Sequence, residues 1–279
     1  MKSVVKAFKL SMLVAAMYAV LMLPTVSLAT HSWGGYHWAR TSNPFTVQLG
    51  DTLTSNWESY LATSIVDWNK SAVLETVMVP GNGTVARKCS PKSGKVEICN
   101  EKYGQNGWVG IASVWTNGLH IVQGTVKMNE TYYAMAKYNT PAWRNMVLCQ
   151  EIGHTFGLAH QDEGFSNPNL GTCMDYTNSV IGGGTNGSLN NEHPNTHDYD
   201  MLESIYNHDD TFSTLLATSG AQAGSDIDTN NPRNWGQAVK ANQAGEAIMF
   251  RRDLGHDNEM WTFVFWAREQ NEHRPEDGH

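Results

Sequence analysis

The spacing of hydrophobic positions predicts a strand-rich first half of the chain that contains one early helix. Residues 36–40 and 44–49 are rich in β-forming side chains and predict a first strand. Ser55 and Glu58 form a capping-box pattern. It precedes apolar residues at helical spacing, namely Trp57, Leu61, Ile65 and Trp68. Further strands are predicted at 73–79, 108–115 and 119–128.

The second half of the chain is predicted to begin with a buried helix. Thr140 and Pro141 form a cap followed by the proline favoured at the first helical position, and residues 143–152 are apolar on most sides. A last amphipathic helix is predicted at 198–207. Residues 218–231 are rich in Gly, Ala, Ser, Asp and Asn and predict a linker. Three short strands follow, at 235–239, 247–251 and 261–267.

The N-terminal segment has the features of a secretory signal peptide. Three lysines precede an apolar run from Leu10 to Leu23, and Ser27-Leu-Ala29 matches a small-x-small cleavage site. A membrane anchor is the alternative, but a run of about 14 residues is short for a membrane span. We therefore expect cleavage after Ala29 and a secreted, extracellular protein that has no membrane segment after cleavage.

Composition and charge limit the classes of partner. A chain of 279 residues with 41% hydrophobic content can bury one sizeable core. Residues 1–29 hold three lysines and no acidic residue, so their removal changes the formal net charge from −8 to −11. Such an acidic protein is a poor ligand for nucleic acid or anionic membranes. We expect protein or peptide partners and a monomer.

The candidate catalytic and metal-binding residues are concentrated in residues 150–162, whose sequence is QEIGHTFGLAHQD. This is the zinc-protease pattern HExxHxxGxxH with glutamine in place of its first histidine. Gln150 and His154 are four residues apart and project from one helical face. Gly157 lies where the chain must leave the helix, which lets His160 return toward the same point.

These residues, with Met174 in the turn Gly-Thr-Cys-Met-Asp-Tyr, resemble the metzincin clan of zinc metalloproteases, and the matrixin-like catalytic domain in particular. The resemblance covers residues 36–208. It implies an α+β fold, with a twisted mixed sheet and three main helices, to which we add a small C-terminal β appendage. It also implies that residues 119–128 include the edge strand above the cleft, where an extended peptide could pair. The resulting domain prediction is 1–29 signal peptide, 30–217 catalytic domain, 218–231 linker, 232–267 β appendage and 268–279 flexible tail.

The resemblance also implies the roles of the site residues. His154, His160 and more weakly Gln150 would bind one catalytic Zn²⁺, and Met174 would form the structural methionine turn. The implied activity is that of a zinc endopeptidase, with a metal-activated water and Glu151 as the general base. Tyr176 is similar to the tyrosine with which astacins and serralysins stabilise the transition state; the alternative is a buried core tyrosine. Calcium is an open alternative cofactor, but no EF-hand spacing supports it.

Gln150 leaves a second class of function open, because an amide oxygen is a poorer zinc ligand than imidazole. The chain could be a non-catalytic, metzincin-like protein that holds peptides without cutting them. A further alternative is an inhibitor or toxin-like protein whose C-terminal appendage is the active part. His197 could replace the lost ligand, whereas His31, His37 and His193 are expected to be surface or capping residues.

The four cysteines of an exported chain favour two disulfides, although three pairings are open. We expect Cys89 to pair with Cys99, closing a short polar loop whose ends would form a hairpin. We expect Cys149 to pair with Cys173. The second bond would join the residue before Gln150 to the residue before Met174.

Overall fold

The computed structural model describes residues 31–82, 86–215 and 223–268, so the predicted signal peptide and most of the predicted tail lie outside the described residues. The strands are β1 (His37–Trp38), β2 (Phe45–Thr52), β3 (Leu74–Pro80), β4 (Lys95–Glu101), β5 (Trp108–Asn117), β6 (His120–Asn129), β7 (Gln237–Ala241), β8 (Ala247–Gly255) and β9 (Asn258–Trp266). The helices are α1 (Glu58–Trp68), α2 (Glu130–Tyr133), α3 (Pro141–His154) and α4 (Thr196–Ile205). The fold is a mixed α+β arrangement, as predicted.

The strands form one mixed sheet in the order β3-β2-β4-β6-β5-β9-β8-β7, and β1 pairs in parallel with the start of β6. Strands β2, β3, β4 and β6 are parallel neighbours, whereas β5, β9, β8 and β7 are antiparallel. The prediction of an edge strand at 119–128 was wrong, because β6 lies between β4 and β5.

The C-terminal strands extend this same sheet. Strand β9 pairs with β5 along its length, from Trp108 opposite Trp266 to Asn117 opposite Asn258. The strands predicted as a small β appendage packed on the catalytic domain thus continue the sheet through β5. Residues from the predicted linker also cover one sheet face, where the Lys127 ammonium donates to Thr229 Oγ1 at 2.8 Å.

Different parts of the chain pack on the two faces of the sheet. Helices α1, α3 and α4 contribute to the larger core on one face, which includes Trp38, Trp57 and Trp68. On the opposite face, Trp235 packs in a small cluster with Trp108, and its indole N–H donates to Thr229 O at 2.8 Å. Burial of both faces explains why few strands show a simple alternation of polar and apolar residues.

Of the two helix starts predicted from capping residues, the structure agrees with the one at Thr140. Thr140 caps α3 by accepting from the Trp143 amide at 3.3 Å, with Pro141 in the first turn. Asn195 caps α4 in a capping box with Asp198. The capping box predicted at Ser55 was wrong, because α1 begins after Trp57 without a side-chain cap.

Both disulfides have the predicted partners, Cys89 with Cys99 and Cys149 with Cys173. The hairpin expected around the first bond was wrong, since Cys99 lies on β4, which pairs in parallel with β2 and β6. Within the three described ranges, we find no helix whose length and hydropathy would suit a membrane span.

Candidate metal centre

Helix α3 brings the first half of the motif into the core. Gln150, Glu151 and His154 are each 0% exposed, and His160 is 4% exposed. The chain leaves the helix through Gly157, whose φ of +98° places it in the left-handed region. A Cβ at this position would overlap Tyr36 O. Glycine is therefore required for the turn that returns His160 to the helix.

The two histidines of the motif converge on one point. His154 Nε2 lies 3.2 Å from His160 Nε2, and His154 Nδ1 lies 2.7 Å from Leu158 O. Because Nδ1 must donate to that carbonyl, a neutral His154 has its lone pair at Nε2. Burial lowers the pKa of His154 to about 3 and that of His160 well below its usual value. Two unprotonated imidazoles thus face each other in the core.

Gln150 is fixed by the methionine turn. Its Nε2 donates to Cys173 O at 2.7 Å and to Asp175 O at 3.1 Å, so both amide hydrogens are used. Its Oε1 is buried and has no hydrogen-bond partner in the described part of the chain. A buried amide oxygen without a donor is costly. Gln150 therefore offers an oxygen ligand while its nitrogen stabilises the turn.

The Glu151 carboxyl lies under the sheet. A Cβ on Gly110 of β5 would be 2.5 Å from Val147 Cγ1 and 3.1 Å from Glu151 Oε1, so glycine at this position allows α3 to pack closely under the strand. Neither oxygen has a hydrogen-bond partner of normal geometry among residues 31–82, 86–215 and 223–268. Burial raises the pKa of Glu151 well above its usual range, and the backbone amides of Ala112 and Phe265 only partly oppose that rise.

Met174 lies against the same helix. A Cβ on Gly153 would be 2.5 Å from Met174 Sδ, so the absence of a side chain at Gly153 admits the methionine. The disulfide between Cys149 and Cys173 joins α3 to this turn one residue before Gln150. Helix and turn are thus held together by one covalent bond and by the Gln150 amide.

Tyr176 is also buried beside the histidines. Its ring centroid is 5.1 Å from that of His160, and its Oη accepts a hydrogen bond from the Trp266 amide at 3.0 Å. Burial raises the pKa of its phenol. In this structure Tyr176 has the environment of a buried tyrosine with a satisfied hydroxyl, and that hydroxyl contacts the end of β9.

Strand β9 covers the centre. The Phe263 ring stacks on the His154 ring with centroids 4.2 Å apart and planes 13° apart. Phe265 packs on Tyr176 at 4.8 Å. Because β9 also pairs with β5, the chain's own C-terminal strand lies directly over the two histidines.

The N-terminal segment fixes the chain between the two histidines. The Trp33 indole donates to His154 O and the Trp38 indole donates to Thr155 O, each at 2.9 Å. His31 Nδ1 lies 3.0 Å from Ala159 O. These contacts explain why residues 155–160 are rigidly placed although they are not helical.

A second group of ligand atoms adjoins this segment. His31 Nε2, His197 Nδ1 and Asp198 Oδ1 lie within 4.8 Å of one another, and none has a hydrogen-bond partner in the described ranges. Burial lowers the pKa of His31 to about 4 and raises that of Asp198 to about 6. The structure places His197 in this group, beside His31 rather than as a substitute for Gln150.

Sequence reasoning missed the residues that surround the motif. Phe263 and Phe265 had been assigned only to a short C-terminal strand, and Trp33 and Trp38 had no assigned role. Their indole and phenyl contacts depend on pairing between distant segments, for which neither spacing nor composition gave a signal. Gly153 and Gly110 could have been found only from the close approach that their positions permit.

Comparison with known proteins gives little further information. No protein-family model matches the chain, and no curated protein matches it. Among solved structures, the chain is similar to High choriolytic enzyme 1, a hatching enzyme zinc-protease from Oryzias latipes (medaka fish). The TM-score is 0.33 and the sequence identity 9%, over 63% of this chain and 96% of that chain. A likeness this weak carries no conclusion about this chain.

Proposed function

We propose that the chain is a secreted, zinc-dependent endopeptidase of the metzincin type, matrixin-like in its motif, with a centre closed by its own C-terminal strand. The observation that carries the proposal is the 3.2 Å approach of His154 Nε2 to His160 Nε2 in the core. At this distance the two nitrogens can share the N–H of a neutral His160 or direct two lone pairs at one cation. Burial lowers the pKa of both imidazoles, which keeps them neutral and therefore able to bind a cation.

The donor set fits zinc. Zinc in catalytic sites takes three protein ligands from imidazole nitrogen and oxygen and keeps one position open. His154 Nε2, His160 Nε2 and the unpartnered Gln150 Oε1 would supply these three ligands. When bound, zinc would acidify a water molecule and polarise the scissile carbonyl.

Glu151 would act as the general base. Its carboxyl is one residue from Gln150 on α3, is fully buried and has a raised pKa, which favours proton uptake near neutral pH. Tyr176 would donate its phenol to the developing oxyanion. That role requires its Oη to be released from the Trp266 amide, which is its partner here.

A substrate must displace part of β9 before it can reach these groups. Strand β5 is already paired on both edges, by β6 and β9, and Phe263 covers His154. An extended peptide could replace β9 on β5, because an antiparallel strand makes the same main-chain hydrogen bonds. The substrates would thus be unfolded or extended segments of proteins, bound by a monomer.

The closed centre and Gln150 together favour one alternative, a non-catalytic peptide-binding protein. An amide oxygen binds zinc less tightly than imidazole, and the paired β5 edge restricts access. A fully buried carboxyl lowers stability, so the presence of Glu151 at this position favours the enzyme.

The chain that begins at Thr30 tests the proposal against a mixed peptide library with zinc supplied. Glu151→Gln keeps the shape of the side chain and removes the base, so hydrolysis should fall by about 10²–10⁴-fold. Zinc content, measured by mass spectrometry on both proteins, should be unchanged. The matched control is Glu58→Gln, an acid at the start of α1.

Equal hydrolysis by the wild type and Glu151→Gln would contradict the assigned base. If neither protein hydrolyses peptides although both are fully loaded with zinc, the result would contradict the peptidase and support the peptide-binding alternative. Absence of zinc from the wild-type chain would contradict the metal centre itself.

A further inference from the structure

Three histidines and one aspartate meet at a site far from the motif in sequence. His37 lies on β1, His120 opens β6, and His208 and Asp210 follow α4. The pairing of β1 with β6 places His37 opposite His120. The chain after α4 returns to this point, where the Asp210 amide donates to Arg40 O at 2.9 Å.

The ligand atoms converge on one carboxylate oxygen. Asp210 Oδ1 lies 3.5 Å from His37 Nε2, 3.3 Å from His120 Nε2 and 3.9 Å from His208 Nε2. His37 Nε2 also lies 3.2 Å from His208 Nε2. Around a tetrahedral zinc ion with bonds of about 2.0–2.1 Å, neighbouring ligand atoms are separated by about 3.3 Å. The separations among His37, His208 and Asp210 are near that value, and their ligand atoms all lie within 4.8 Å of one another. His120 lies outside this group of three, although its Nε2 contacts Asp210 Oδ1.

Further hydrogen bonds fix the orientation of His37 and Asp210. His37 Nδ1 lies 2.8 Å from Gly35 O, so it must donate there and a neutral ring has its lone pair at Nε2. Arg40 Nη1 lies 3.1 Å from Asp210 Oδ2, which leaves Oδ1 for the histidines. Such partners on the far side of a ligand fix its orientation in metal sites.

The orientation of the rings agrees with coordination of one ion. The His37 ring stands at 87° to that of His208, so the two rings meet edge to face rather than stacking. The group of His31 and His197 differs, because its rings are stacked at 20°. The cluster is also accessible, with side chains that are 28% exposed at His120 and 44% exposed at His208.

We propose that His37, His208 and Asp210 form a second site for a divalent transition metal, with zinc as the best-suited ion, and that His120 contacts the Asp210 carboxylate beside it. Two imidazoles and one carboxylate leave the fourth position of a tetrahedral zinc ion to water. The ion joins β1 to the segment after α4. It therefore stabilises the N-terminal segment, whose Trp33 and Trp38 hold the loop between His154 and His160.

The test compares two exposed histidines that each contact an aspartate. His208→Asn removes a ligand of the proposed site, whereas His193→Asn is the control, since His193 is 49% exposed and lies 2.6 Å from Asp67, whose other oxygen contacts Lys70. Bound zinc per chain is measured after equilibration with micromolar zinc and gel filtration. We expect His208→Asn to lose one equivalent relative to the wild type and His193→Asn to lose none.

A second variant and a spectroscopic probe test the proposed site independently of His208→Asn. Asp210→Asn should also lose one equivalent. Cobalt bound to the wild-type chain should show intense tetrahedral ligand-field bands, part of which disappears in His208→Asn. Zinc content and cobalt spectra of both variants equal to those of the wild type would overturn the proposal. Because each result is a difference from the wild type, it stands whether or not the motif centre binds zinc.

Discussion

The two histidine clusters of this protein are built in different ways. The pair His154 and His160 comes from one short motif, is 0% and 4% exposed, and is covered by β9. The cluster at Asp210 is assembled from three separate segments and remains partly open, with His208 44% exposed. A local motif thus positions ligands through a helix and a turn, whereas the second cluster depends wholly on the fold.

The difference has a functional consequence. The buried pair lies beside the Glu151 carboxyl on α3, and any chemistry there would depend on displacement of β9. The Asp210 cluster joins β1 to the segment after α4, so an ion bound there would stabilise the fold. Perturbing each cluster separately should therefore give distinct losses of metal, stability and activity.

The largest effect is expected from Gly157→Ala. Alanine at φ +98° is strained and its Cβ would overlap Tyr36 O, so the variant should lose at least about 1–3 kcal/mol of stability. Displacement of His160 should also release zinc from the motif pair and leave the Asp210 cluster loaded. Thermal unfolding and zinc content measure both effects. Gly118→Ala is the control, because its φ is +55° but its Cβ would meet nothing within 4 Å; equal losses in both variants would contradict this account.

A gain is expected from Gln150→His. Imidazole is a better zinc ligand than an amide, so affinity at the motif pair should rise by about tenfold or more. One of the two hydrogen bonds to Cys173 O and Asp175 O must be lost, at a cost of about 1 kcal/mol in the metal-free protein. Competition with a chelator measures affinity, and denaturant unfolding measures stability. Unchanged affinity would mean that residue 150 does not contact the metal.

The two clusters should release zinc at different pH values. Zinc binds unprotonated imidazole, so a ligand that resists protonation keeps its metal to lower pH. Burial lowers the pKa of His154 to about 3 and that of His160 well below its usual range, whereas the side chain of His208 is 44% exposed. Falling pH should therefore release zinc in two steps, the first of which is absent in His208→Asn. Release in one step from the wild type would contradict the difference in burial between the two sites.

The smallest effect is expected from Phe263→Leu. Loss of the ring over His154 should speed removal of zinc by a chelator a few-fold, with a loss of about 1 kcal/mol in stability. Phe250→Leu is the control, since Phe250 lies on β8 and packs on the opposite sheet face with Trp235. Chelation rates that are equal in the two variants would show that Phe263 does not restrict access to the centre.

Much of the element order could be predicted from the sequence, but strand β4 could not. Lys95 and Glu97 give this segment a polar pattern, yet they form an ion pair with each other and Glu97 is 1% exposed. Glu97 Oε2 also accepts from the Asn82 amide at 3.2 Å. Because these two charged residues pair with each other inside the fold, they can be buried in a strand. Hydrophobic spacing alone therefore does not identify β4.

The motif residues were predictable because helical spacing fixes their relation. Gln150, Glu151 and His154 follow from one helix, and the positive φ of Gly157 follows from the need to leave it. The pairing of β9 with β5 was not predictable, because its contacts join segments distant in sequence. The Asp210 cluster was not predictable for the same reason, because its histidines are far apart in the sequence and follow no spacing pattern.

The central claim is that the motif pair binds zinc, and a zinc-edge anomalous difference map of crystals of the chain from Thr30 tests it most directly. The account predicts a peak between His154 Nε2 and His160 Nε2, within bonding distance of Gln150 Oε1. Crystals grown with zinc that show no peak there, while the two imidazoles remain in contact, would contradict it.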